Sequence, residues 1–117
     1  MADPIEFHFL LDSSGALIVF QETGASWASV LAFSNEDNAR EFIGQSKLEV
    51  AEIAAIAAAD RGEISRLIHT LKPRAVRNLL LDLDYTTGDC IAIEFEGDTL
   101  GIARQHHLTP GAHTRKQ

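Results

Sequence analysis

LLLDLDYTTGDCIAIEFEG, residues 79 to 97, sets two apolar runs on either side of Thr-Thr-Gly. A three-residue hairpin loop takes two right-handed residues and then a glycine in the left-handed region, where a Cβ is costly. Thr86-Thr87-Gly88 fits that demand, so strands are expected over 76–85 and 90–96, with Gly88 at positive φ. This loop puts Leu79 opposite Phe95, Leu81 opposite Ile93 and Leu83 opposite Ile91. Leu79, Leu81, Leu83, Tyr85, Ile91, Ile93 and Phe95 then share one face, which is the expected core side. A two-residue Thr87-Gly88 loop would pair leucines with glutamates. The chosen register leaves Asp82, Asp84, Glu94 and Glu96 on a solvated face, with Cys90 beside Asp84.

Upstream, IEFHFLL (5–11) alternates as a half-buried strand does. Asp12-Ser13-Ser14-Gly15 repeats the loop design and leads to a second strand, ALIVFQ (16–21), after which WASVLAF (27–33) reads as a third. Ser34 and Asp37 have capping spacing for a helix over 35–43, which Gly44 would stop. KLEVAEIAAIAAA (47–59) is ambiguous. Ser46 and Glu49 repeat the capping spacing and the alanines favour helix, while a buried strand in the second half stays open. Asp60 and Glu63 cap a clearer helix, in which Ile64, Leu67, Ile68 and Leu71 form one stripe before Pro73.

These elements predict an α+β domain. The expected form is a two-layer sandwich, a mixed and mostly antiparallel sheet with the helices packed on one face. The domain is expected over 1–103, followed by a basic, His-containing tail over 104–117. All 17 acids lie within residues 1–98, with 7 of the 10 Lys and Arg residues, giving that part a charge of −10. Residues 99–117 carry Arg104, Arg115, Lys116 and three histidines with no acid.

The whole chain of 117 residues has net charge −7, which disfavours phosphate-backbone binding and so nucleic acid as a partner. No apolar run is long enough to span a bilayer, so no membrane role is expected. The single Cys90 excludes an internal disulfide, and the start MADPIEF carries no signal-peptide pattern. A cytoplasmic protein is expected.

Five residues are weak metal candidates: Asp82, Asp84, Glu94, His106 and His107. Divalent cations want clustered oxygens, but this spacing has no calcium-loop grammar, and adjacent histidines point apart in extended chain. His69, Lys72, Arg74 and Arg77 gather near the end of the second helix, where cations favour the helix dipole. They are also the candidate binding patch for an acidic peptide or phosphate. Cys90 beside a carboxylate makes a poor nucleophile, and His8 could reach it only if the hairpins were adjacent. No phosphate loop, dinucleotide fingerprint or hydrolase elbow occurs, so no cofactor is expected.

The succession WASVLAFSNEDNAREFI, DRGEISRLIHTL and RNLLLDLD resembles the N-terminal domain of SseB-type proteins, named for enhanced serine sensitivity. The resemblance covers about residues 27–85. It implies a small α/β module with no established catalytic residues and a strand at 50–57. The expectation is a non-catalytic protein-interaction or regulatory module with a protein partner or self-association, including a homodimer through an open sheet edge. The alternative is a small-ligand or divalent-metal-dependent enzyme using Asp82, Asp84 and Glu94.

Overall fold

The computed structural model describes residues 5–21 and 24–108. In chain order its elements are β1 (Glu6–Leu11), β2 (Val19–Phe20), β3 (Ala28–Phe33), α1 (Glu36–Ser46), β4 (Glu52–Ala57), α2 (Arg61–Leu71), β5 (Val76–Leu81), β6 (Asp89–Glu96) and β7 (Thr99–His107). The strands form one sheet in the order β4-β1-β3-β5-β6-β7, with β2 also beside β3. β3 and β5 run parallel, and the other pairings are antiparallel. The α+β class and the mixed, mostly antiparallel sheet are as the sequence predicts. Among the described residues, no helix is long and apolar enough to cross a membrane.

The layering needs a correction. β3 is buried at all six positions, and its alternate residues feed two cores. Val30 and Ala32 pack with Ile64, Leu67, Ile68 and Leu71 of α2. Leu31 and Phe33 pack with Ala39 and Phe42 of α1. The helices therefore lie on opposite faces of the sheet. Connection order supplies the reason. The step from β3 to β4 crosses the sheet one way, and the step from β4 to β5 crosses back. Parallel crossovers keep a right-handed sense, so reversing the direction moves the helix to the other face.

Residues 47–59 hold a strand, which resolves their ambiguity against the capping spacing. α1 runs through Gly44 to Ser46, and Lys47 takes a left-handed cap at φ 58 with its N–H on the Ile43 carbonyl. Ser46 thus ends a helix and cannot start one. β4 pairs with β1 at six successive positions, from Glu6 opposite Ala57 to Leu11 opposite Glu52. That ladder overrides the helical preference of its alanines. The α1 cap is Asn35, whose side chain accepts from the Asn38 N–H at 2.7 Å, one residue later than the expected Ser34. Asp60 caps α2 as expected, accepting from the Glu63 N–H at 3.1 Å.

Gly15 and Gly88 both have positive φ, at 85° and 84°, as their loops require. The hairpins around them differ from expectation. Among the described residues a single bridge, Leu11 to Leu17, closes the first, and β2 pairs with β3 instead of β1. β2 therefore prolongs the line of β1 along β3 after a looped excursion. In the second, Leu79 faces Ile93, Leu80 faces Ala92 and Leu81 faces Ile91, two residues from the expected register. Asp82 is the cause. It leaves the strand at φ 56, donates its N–H to Ala32, and accepts from the Ser34 N–H at 2.8 Å and Asn38 Nδ2 at 3.2 Å. Leu83 then turns into the α1 core, away from Leu79 and Ile93.

The expected boundary at residue 103 falls inside β7, which continues through Arg104–His107. Leu108 follows at 1% exposure in the α1 core, with its N–H on the Gly88 carbonyl at 2.9 Å. Burying such a side chain is worth roughly 1.5–3 kcal/mol, which fastens the strand end to the second loop. The rest of the expected tail, with His113, Arg115 and Lys116, lies outside the described residues.

Candidate functional site

The unequal cover of the two sheet faces creates the main candidate site. α1 lies over β1 and β3, and beside it β2 and the 83–88 loop leave a cavity of about 420 Å³. Its walls include Ile18, Phe20, Leu31, Phe42, Leu48 and Leu108. Phe42 holds the wall in place, with its ring 5.4 Å from Phe33 and edge-on to Tyr85 at 5.9 Å. Asp84, Tyr85 and Ser46 supply the polar groups. A mostly apolar cavity of this size with few polar groups suits an apolar group that is oriented at one end. Of these residues the sequence marks only Asp84 as a site candidate, and for metal, not for an apolar cavity. The only signal was the partial burial implied by ALIVF beside a loop, which every surface strand shares.

The carboxylates Asp82, Asp84, Glu94 and Glu96, expected on one face, separate. Asp82 ties β5 to the start of α1, as described above. Asp84 folds its own loop, accepting from the N–H groups of Thr86 at 2.8 Å and Thr87 at 3.2 Å. Both line a smaller cleft of about 180 Å³ with Asn38, Glu41 and Gln45. Glu94 lies across the ladder from Asn78, and Glu96 from Thr99. The solvated acidic sheet face therefore narrows to Glu94 and Glu96, because Asp82 and Asp84 are loop fastenings. Among the described residues, no three His, Cys, Asp or Glu side chains are grouped to hold a metal ion.

Cys90 does not lie beside Asp84 on a wet face. It is buried in the α1 core, directly opposite His106 of β7. His8 is on β1, separated from β6 by β3 and β5, and approaches Glu6 at 3.7 Å. His107 Nδ1 lies 2.8 Å from Asp89 Oδ1, and this bond, with a smaller one from Thr87, holds the Asp89 carboxyl below the usual range.

The basic cluster also divides. His69 turns toward Asp98, at 4.0 Å. Arg74 lends its charge to Asp12, whose carboxyl is lowered mainly by the Ser14 hydroxyl and then by the Ala16 and Ser14 N–H groups. Lys72 and Arg77 both line one cavity of about 440 Å³, with Trp27 and Phe95. Comparison with known protein families, with curated proteins and with solved structures finds no match for this chain.

Proposed function

We propose that the protein is a non-catalytic interaction module that receives an apolar segment of a protein partner between α1 and the sheet. The observation that carries this reading is the apolar cavity walled by Ile18, Phe20, Leu31, Phe42 and Leu48, with Asp84 and Tyr85 at hand to orient what enters. An apolar wall with a few polar groups gives both binding energy and register. The SseB-type resemblance of residues 27–85 points to the same class of function. The open edges β4 and β7 are the second place where a partner, or another copy of the chain, could extend the sheet.

The test is Leu48→Glu, which puts a charge on a wall residue that is only partly buried. Wild type and variant are compared by thermal melting and by affinity capture from the native host, with captured proteins quantified. A partner retained by wild type and lost by a variant of similar melting temperature supports the reading. An identical captured set from two folded proteins overturns it.

A further inference from the structure

We propose that the cavity bounded by Trp27, Lys72, Arg77 and Phe95 binds a phosphate monoester whose molecule also bears a planar ring. It lies at the N-terminal ends of β3 and β5, whereas the apolar cavity lies beside α1.

Two backbone irregularities build this site. Ala75 has φ 61, a left-handed conformation that is unfavourable for a residue with a Cβ. Two residues later the pairing of β3 with β5 slips, because Ala28 faces Val76 while Ser29 faces Asn78. Arg77 is the extra residue. Bulges re-aim side chains, and they are rare between parallel strands. Here the neighbours Val76 and Asn78 stay buried while Arg77 is exposed and lines the cavity. The left-handed Ala75 ends the turn of Lys72–Arg74, so the same few residues carry Lys72 to the same cavity. Among the described residues, neither Lys72 nor Arg77 forms an ion pair.

The chemistry of the lining selects the ligand. Two cations match a phosphate dianion, with the guanidinium able to donate two parallel hydrogen bonds and the ammonium acting as a point charge. Trp27, only partly buried, and Phe95 supply aromatic surface for a flat ring. Ser26 adds a hydroxyl to the lining, and Glu94 opposes the phosphate from β6. A cavity of about 440 Å³ is within the range of small-ligand sites. The ring and phosphate could belong to a mononucleotide or to a phosphotyrosine of a protein.

Trp27 is the only tryptophan in the chain, so its fluorescence reports on this cavity alone. The full chain is titrated with phenyl phosphate, benzoate, inorganic phosphate, adenosine 5′-monophosphate and a short phosphotyrosyl peptide. A saturable change with phenyl phosphate is expected, with benzoate and inorganic phosphate each weaker by about ten-fold or more. Lys72→Met and Arg77→Met, both at exposed positions, should each weaken phenyl phosphate by about ten-fold, while Glu94→Gln tightens it. Thermal melts confirm that each variant is folded. Tighter binding of the nucleotide or of the peptide supports the site and names the source. No saturation, equal binding of benzoate, or indifference to both cation variants overturns the proposal.

Discussion

Asp12-Ser13-Ser14-Gly15 and Asp84-Tyr85-Thr86-Thr87-Gly88 turn the chain with the same chemistry. In each, an aspartate carboxylate accepts N–H groups of the loop, and a left-handed glycine donates to that aspartate's carbonyl. Their surroundings differ. A Cβ on Gly15 would meet nothing within 4 Å, whereas one on Gly88 would lie 2.3 Å from the Leu108 carbonyl oxygen. The first loop is a local excursion between β1 and β2. The second is a junction where β5, β6, the end of β7 and α1 meet beside the apolar cavity. One local grammar therefore serves two ranks of importance, and rank comes from contacts remote in sequence.

The largest expected effect tests that difference directly. Gly88→Ala should cost about 2–5 kcal/mol, adding left-handed strain to a collision with backbone that cannot step aside. Gly15→Ala should cost only the conformational part, roughly 1–2 kcal/mol. Urea unfolding of the two variants measures both. Equal losses would mean that Leu108 is not seated on the second loop.

Leu108→Ala approaches the same contact from the other side. It empties a site that is 1% exposed, and core truncations of leucine cost about 2–5 kcal/mol. A value in the lower half is expected, since the neighbouring cavity lets the wall relax. A loss under about 0.5 kcal/mol, the level of a surface change, would contradict the seating of the β7 end in the core.

A smaller effect is expected at Asp82, which joins the second loop to α1. Asp82→Ala removes the acceptor for the Ser34 N–H and the Asn38 amide and leaves alanine at φ 56. A loss of about 1–3 kcal/mol follows from the unmade hydrogen bonds and the left-handed backbone. Asp82→Asn keeps an acceptor and tolerates that conformation, so it should recover most of the loss. If both variants unfold alike, the charge matters and not the link.

Asp82 also marks where the sequence stopped being legible. α2 was readable because its cap, its apolar stripe and its terminating Pro73 all lie within one short segment and agree. The two positive-φ glycines were readable for the same reason. The register of β5 with β6 was not, because it depends on Asp82 reaching Ser34 and Asn38 at the start of α1, remote in sequence. β4 was obscured by alanines whose local preference loses to the ladder with β1. The cavity beside α1 was hidden because the crossover geometry, not any motif, splits the helices between two faces. Lys72 and Arg77 were legible as cations. Their meeting with Trp27 required the bulge, which no residue pattern announced.

The smallest expected effect separates the two loops by charge instead of packing. Asp12 and Asp89 both have carboxyls held below the usual range. The Ser14 hydroxyl is the leading cause at Asp12, and the His107 ring is the leading cause at Asp89. A carboxyl whose folded pKa lies under its unfolded value, about 3.9, stabilises the fold above that value. The contribution disappears as pH falls through the lowered folded value. Both are exposed, so each should add only a slight acid sensitivity below about pH 4, which Asp12→Asn and Asp89→Asn would each reduce. Carboxyl NMR titration resolves the causes. His107→Ala should raise the Asp89 midpoint and leave Asp12 where it was, while Ser14→Ala should do the reverse. If His107→Ala moves neither midpoint, β7 does not reach the second loop at Asp89. If either substitution moves both, the two loops are coupled through the sheet and are not separate local devices.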